Sequence, residues 1–199
     1  MPEQTSAAET IDSLLADLGK AWDPWASVPF PVHHRLFGRG SRHPFSWYLE
    51  GRSAVTVTSI ADVERWLLGC TTVDDRTLFG EDDYWSHPGE FEVIRMGDCD
   101  DHALWAWRKF VELGCRTSLV TGRWFVDGSD ELHVFVTVEV DGEERVFEST
   151  SKTLGGALLP AGEARKTYRP HFAVNESLET RVFLGSASEI LPLPSSWDD

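Results

Sequence analysis

Three residue types that together cleave acyl bonds, a thiol, an imidazole and a carboxylate, follow one another here as Cys99, His133 and Glu148. Cys99 stands at the head of a helical stretch, where unpaired N–H groups and the positive end of the dipole stabilise a thiolate and raise its nucleophilicity at neutral pH. Cys115, just past the end of the same stretch, lacks that setting. A thiolate needs a base to carry its proton to a leaving group and a third group to orient that base. Leu132 to Val140 alternates as a strand, Glu144 to Ser149 is a further strand candidate, and Asp141-Gly142 between them signals a hairpin. A two-residue loop sets Glu148 opposite Phe135 and His133 opposite Thr150, so His133 and Glu148 are diagonal neighbours on one side of the sheet. Diagonal neighbours lie about 7–8 Å apart at the backbone, within reach of these two side chains. Val134, Val136, Val138 and Val140 then occupy the opposite face as the core anchor. His87 and His102 are rival bases, His102 lying three positions beyond Cys99 on the same helix.

The elements that must position these groups are readable by period. Ser6 and Glu9 form a capping box for a helix carrying Ile11, Leu14, Leu15 and Leu18. Trp22 to Tyr48, rich in proline and aromatic rings, reads as ordered, aromatic-anchored loop; His33, His34 and His43 within it have no supporting carboxylate or thiol, and no metal is assigned to them. Ser53 to Thr58 alternates as a short strand, and Ser59 with Asp62 caps a helix carrying Val63, Trp66 and Leu67 that ends at Gly69. The run TTVDDRTLFGEDDYWSHPGEF reads as a polar connection whose acids form a solvated face. Asp98 to Leu113 is a core helix, with Ala103, Leu104, Ala106, Trp107, Phe110, Val111 and Leu113 on one face and Gly114 as its stop. Thr117 to Trp124 alternates as a strand, and the tail EILPLPSSWDD, residues 189–199, reads as an extended segment on the surface.

Composition bounds the rest. At 199 residues with 41% hydrophobic and 26% charged residues, residues 1–199 are expected to form a single domain, not a disordered chain. Eighteen basic against thirty-three acidic residues give a net charge of -15, which repels phosphate backbones and anionic lipid, so neither nucleic acid nor membrane is an expected partner. No run of about 18 apolar residues spans a bilayer and the start lacks the order of a secretion signal, which points to the cytoplasm. Three cysteines without a CxxC pair imply neither a disulfide framework nor a zinc site.

The run DDYWSHPGEFEVIRMGDCDDHALWAWRKFVELG, followed by LHVFVTVEVDGEERVFEST, resembles the transglutaminase-like superfamily and especially its bacterial cysteine proteinase branch. The match covers roughly residues 60–150; residues 1–50 and the last 49 carry no recognised motif. The resemblance implies an α+β, papain-like fold with the cysteine helix packed on an antiparallel sheet. It makes Cys99 the nucleophile, His133 the general base and acid, and Glu148 the orienting acid. The family more often has Asp at the last place, in motifs such as LDN or DPT, where this chain reads FEST; glutamate does the same work through one extra methylene.

Acyl transfer also needs donors for an oxyanion, for which the Cys99 N–H and the Trp85 indole are candidates. Like charge raises a thiol pKa, so Asp98, Asp100 and Asp101 oppose the helix dipole unless they point away and cap the helix, pair with Arg95 or Arg123, or hold a hard cation. Some members of this branch are calcium-dependent through acids flanking the cysteine, which by resemblance points to Asp98 and Asp100. No organic cofactor is needed. The expected function is a cysteine-dependent peptidase or amidase acting on a peptide or protein. Transglutamination or deamidation would use the same thioester, and a non-catalytic peptide- or sugar-binding module on the same fold is the alternative from another class.

Overall fold

The computed structural model describes residues 23–126 and 128–186, so the expected first helix and the tail lie outside the described residues. The architecture is α+β: a seven-stranded antiparallel sheet in the order β1-β9-β8-β4-β5-β6-β7, with a long helix across one face. Its strands are β1 (Ser27–Pro29), β4 (Thr117–Val126), β5 (Ser129–Val140), β6 (Glu143–Phe147), β7 (Leu158–Pro160), β8 (Tyr168–Asn175) and β9 (Thr180–Phe183). The helices are α1 (Phe45–Leu49), α2 (Ile60–Leu67), α3 (Asp75–Leu78), α4 (Pro88–Ile94), α5 (Cys99–Glu112) and α6 (Ala161–Thr167). A two-stranded parallel ladder joins β2 (Thr71–Thr72) to β3 (Met96–Gly97). Among the described residues, no helix is long and apolar enough to cross a membrane.

The β5–β6 hairpin has the expected register: Val136 faces Phe147, and Asp141 and Gly142 turn with φ of 54° and 79°. Two consecutive positive φ values match the right-handed twist of the flanking strands. Val134, Val136, Val138 and Phe147 pack with Leu104, Trp107 and Phe110 of α5 in the main core. Every residue of α5 from Asp100 to Phe110 is buried, so this helix is enclosed on all sides and its anchoring is tertiary. Trp105 is fully buried and stacks on Trp66 of α2 at 3.9 Å.

Several expectations need correction. The sheet face that carries His133 and Glu148 is also packed: Phe135, Val146, Val120, Tyr168 and Phe183 form a second, smaller core there. The Trp22–Tyr48 region is not all loop, since β1 pairs with β9 and α1 begins within it. Residues 53–58 form no strand. Their polar groups are taken by side chains instead: Glu92 accepts from the Ala54 N–H at 2.7 Å, and the Lys109 ammonium donates to the Val55 carbonyl at 2.7 Å. With its backbone held this way the segment gains no neighbouring strand, and alternation alone does not make one. The polar connection after Gly69 contains α3 and leads into α4, and Asp75 within it is buried.

Candidate functional site

The β2–β3 ladder ties the chain before α3 to the residues before α5, pairing Thr72 with Gly97. Asp98 then caps α5, its side chain accepting the Asp100 N–H at 3.2 Å, and Cys99 is the first helical residue. Cys99 is half-buried at the edge of a cleft of about 540 Å³ that His133 also lines. The other thiols are inert by environment: burial pushes Cys70 up to about 11 and raises Cys115 as well.

His133 and Glu148 meet as the hairpin parity requires, His133 Nε2 lying 2.7 Å from Glu148 Oε2. Tyr168, on β8, donates its hydroxyl to the same oxygen at 2.7 Å. The other oxygen accepts the Thr150 N–H at 3.0 Å and the Thr150 hydroxyl. Nε2 being committed to Glu148, the ring nitrogen left for the Cys99 sulfur is Nδ1. Burial alone would pull His133 down, but hydrogen bonds to Cys99 and Glu148 and their charges outweigh it and hold the imidazole up at about 10. Burial would likewise raise Glu148, and its bonds with His133, Thr150 and Tyr168 hold it instead at about 2. Trp124 stacks on the imidazole at 5.2 Å. Gly122, opposite His133 on β4, lies beside a register shift against β8; a Cβ there would come within 2.2 Å of the Arg169 carbonyl oxygen.

The rival histidines are occupied. His87 caps α4, with Nδ1 accepting the Gly89 N–H at 3.0 Å and Nε2 3.2 Å from the Trp47 carbonyl. His102 is fully buried, with both ring nitrogens engaged, and burial followed by the charge of Lys152 lowers it to about 4.

Asp98 caps the helix as one reading expected, yet it and Asp100 also lie beside the sulfur. Carboxylate oxygens of Asp98 and Asp100 lie with Cys99 Sγ in one group whose atoms are all within 4.8 Å. Asp75, Asp98 and Asp101 form a second such group, and Asp75, Asp83 and Asp100 a third. Arg123 pairs with Asp130 at 2.8 Å, and Arg95 lies over the Trp66 ring. Burial, helped by neighbouring acids, raises Asp100 well above the carboxylate range. Burial outweighs the Ser86 hydrogen bonds to bring Asp101 to about 7, and outweighs the Tyr84 N–H to bring Asp75 to about 6. One oxygen each of Asp75, Asp100 and Asp101 is buried without a hydrogen-bond partner among the described residues. Oxygen donors at this density, unpartnered and reluctant to ionise, fit a hard divalent cation of the calcium class.

Trp85 lines the same cleft, buried, with its indole against Gly38, where a Cβ would come within 2.8 Å of the ring. Not singled out by the sequence were Thr150 and Tyr168 around Glu148, and Asp75 and Asp83 around Asp98, Asp100 and Asp101. Thr150 had a local signal, a hydroxyl two residues after an acid; Tyr168 had none.

No protein-family model and no curated protein matches this chain. Its fold is similar to solved structures of LapG from Legionella pneumophila. One is 19% identical, covering 79% of each chain with a TM-score of 0.48. A calcium-bound form is 18% identical over 85% of this chain and 84% of that one, at 0.47. An EGTA-treated form is 20% identical over 71% and 69%, at 0.46. The architecture described above, a cysteine-bearing core helix on an antiparallel sheet, is the one expected of a transglutaminase-like cysteine proteinase fold.

Proposed function

We propose that this chain is a cysteine-dependent acyl-transfer enzyme, a peptidase or amidase acting on peptide or protein amides, with Cys99 as nucleophile, His133 as base and acid, and Glu148 as the orienting carboxylate. The observation that carries the reading is His133 itself, which lines one cleft with Cys99 and is bonded to a carboxylate with both oxygens engaged. His133 already holds the proton at rest, on Nδ1 facing the sulfur, so in the forward step the Cys99 sulfur attacks, the sulfur–carbon bond forms, and the carbonyl electrons move onto oxygen. Collapse breaks the carbon–nitrogen bond, and Nδ1 returns its proton to the departing amine. Water, deprotonated by the same nitrogen, then releases the thioester. The Cys99 N–H at the start of α5 and the Trp85 indole are the donors assigned to the oxyanion.

A calcium-class cation belongs to the same proposal: Asp75, Asp98, Asp100 and Asp101, with Asp83 at the rim, would hold it. Bound there, it would supply positive charge that offsets the acids crowding the thiolate. The protein's own residues carry every proton in the scheme above.

The deciding experiment is alkylation of the native protein by iodoacetamide between pH 5 and 9, with each cysteine followed by mass spectrometry, in calcium and in EGTA. Cys99 should label fast near pH 6, while Cys70 and Cys115 stay slow, and His133→Gln should abolish the difference. Equal labelling of all three thiols in both media would sink the reading.

A further inference from the structure

A second polar relay lies beneath the proposed site, and the scheme above makes no use of it. His102, one turn into α5 and fully buried, places Nδ1 2.7 Å from the Asp98 carbonyl oxygen, which also accepts the His102 backbone N–H at 3.3 Å. Its Nε2 lies 3.3 Å from Lys152 Nζ, and that ammonium also donates to the Leu67 carbonyl at 3.1 Å. Phe91 closes on the ring edge-on at 4.8 Å. An ammonium only donates, so Nε2 must accept and carry no proton. The single ring proton therefore sits on Nδ1 and is given to Asp98.

That carbonyl belongs to the same planar peptide as the Cys99 N–H. Holding the oxygen down into the first turn of α5 aims the N–H the other way, out of the helix start. A strong hydrogen bond on the oxygen also polarises the N–H. The two relays share one loop: Glu148 holds His133, Thr150 is bonded to Glu148, and Lys152 two residues on holds His102. We propose that His102 is a positioning residue that aims and polarises the Cys99 N–H as the oxyanion donor, with Lys152 fixing its tautomer. This rests on reading Cys99 as the nucleophile.

Two reactions of Cys99 separate this role from a merely structural one. Acetylation by p-nitrophenyl acetate forms the sulfur–carbonyl bond through an oxyanion and expels p-nitrophenolate; iodoacetamide alkylation displaces iodide at a saturated carbon and forms none. Removing a whole oxyanion donor costs ~10²–10³ in rate, so misaiming it in His102→Leu should slow acetylation ~10-fold or more and leave alkylation within ~3-fold of the parent. His102→Asn, whose amide can stand where Nδ1–H does, should restore acetylation. Lys152→Met leaves the imidazole in place and should slow acetylation by a smaller factor, with alkylation unchanged, which keeps the test open if His102→Leu does not fold. Acetylation unaffected by these substitutions, or acetylation and alkylation falling together, overturns the inference. Parent Cys99 that labels no faster than Cys70 and Cys115 sinks the nucleophile reading as well, a distinct result.

Discussion

Glu148 is a buried carboxylate with every hydrogen-bonding direction spoken for, and its consequence is a histidine that is cheap to protonate. The sign of the pH dependence follows. Glu148 lies below its ordinary 4.5, so its contribution is present above that value and lost as pH falls toward about 2. His133 lies above its ordinary 6.5, so its contribution is full below that value and lost as pH rises through about 10. The stability difference between the parent and His133→Gln, measured by urea unfolding, should therefore be largest between these two ordinary values and shrink on either side; a difference flat from pH 3 to 10 would exclude the ion pair. The pairing itself was legible because side chains alternate with period 2 along a hairpin of known turn. Tyr168 was not legible, because it reaches Glu148 only after β8 returns beside β4, a long-range pairing that leaves no local pattern.

At the scale of elements, the start of α5 is built by close packing as much as by capping. A Cβ on Gly97 would come within 2.1 Å of Asp101 Oδ2. Gly97→Ala should thus displace the Asp101 carboxylate and cost about 1–3 kcal/mol in denaturant unfolding, as overpacking does. Lys109 is fully buried 3.2 Å from Glu92 and fastens residues 53–55 to α5. Lys109→Met strands a buried carboxylate and should cost about 3–5 kcal/mol, with a double substitution that also replaces Glu92 by Leu recovering part of it. A recovery of zero would show that the pair is held by its other hydrogen bonds. The alternation of Ser53 to Thr58 ignored who would satisfy its backbone, and the acids after Gly69 were taken as solvated because nothing local says that a two-residue parallel ladder folds Asp75 back under α5. The cysteine helix and the β4–β6 meander were legible because their periods are long and their stops, Gly114 and Asp141-Gly142, are sharp.

The whole molecule carries a charge of -15 and gathers five of its acids within one small region. Carboxyls held above their ordinary range cost stability once they must ionise. Without calcium, the melting temperature should therefore drop as pH rises from about 4 through the values near 6 and 7 of Asp75 and Asp101. Calcium at a hundredfold over its dissociation constant adds about 2.7 kcal/mol and should flatten that decline. Calorimetry showing no binding and no change in melting temperature would remove the cation from the scheme. The long β4–β5 hairpin has a further consequence. β6 accompanies β5 only from Val136 to Val140, so the outer edge of β5 from Ser129 to Phe135, on which His133 sits, has no strand beside it among the described residues. Such an edge is a template for any extended chain, and proteins guard it with charge. Exposed Glu131 stands on this one, so like charge between copies of this acidic chain works against edge-to-edge pairing.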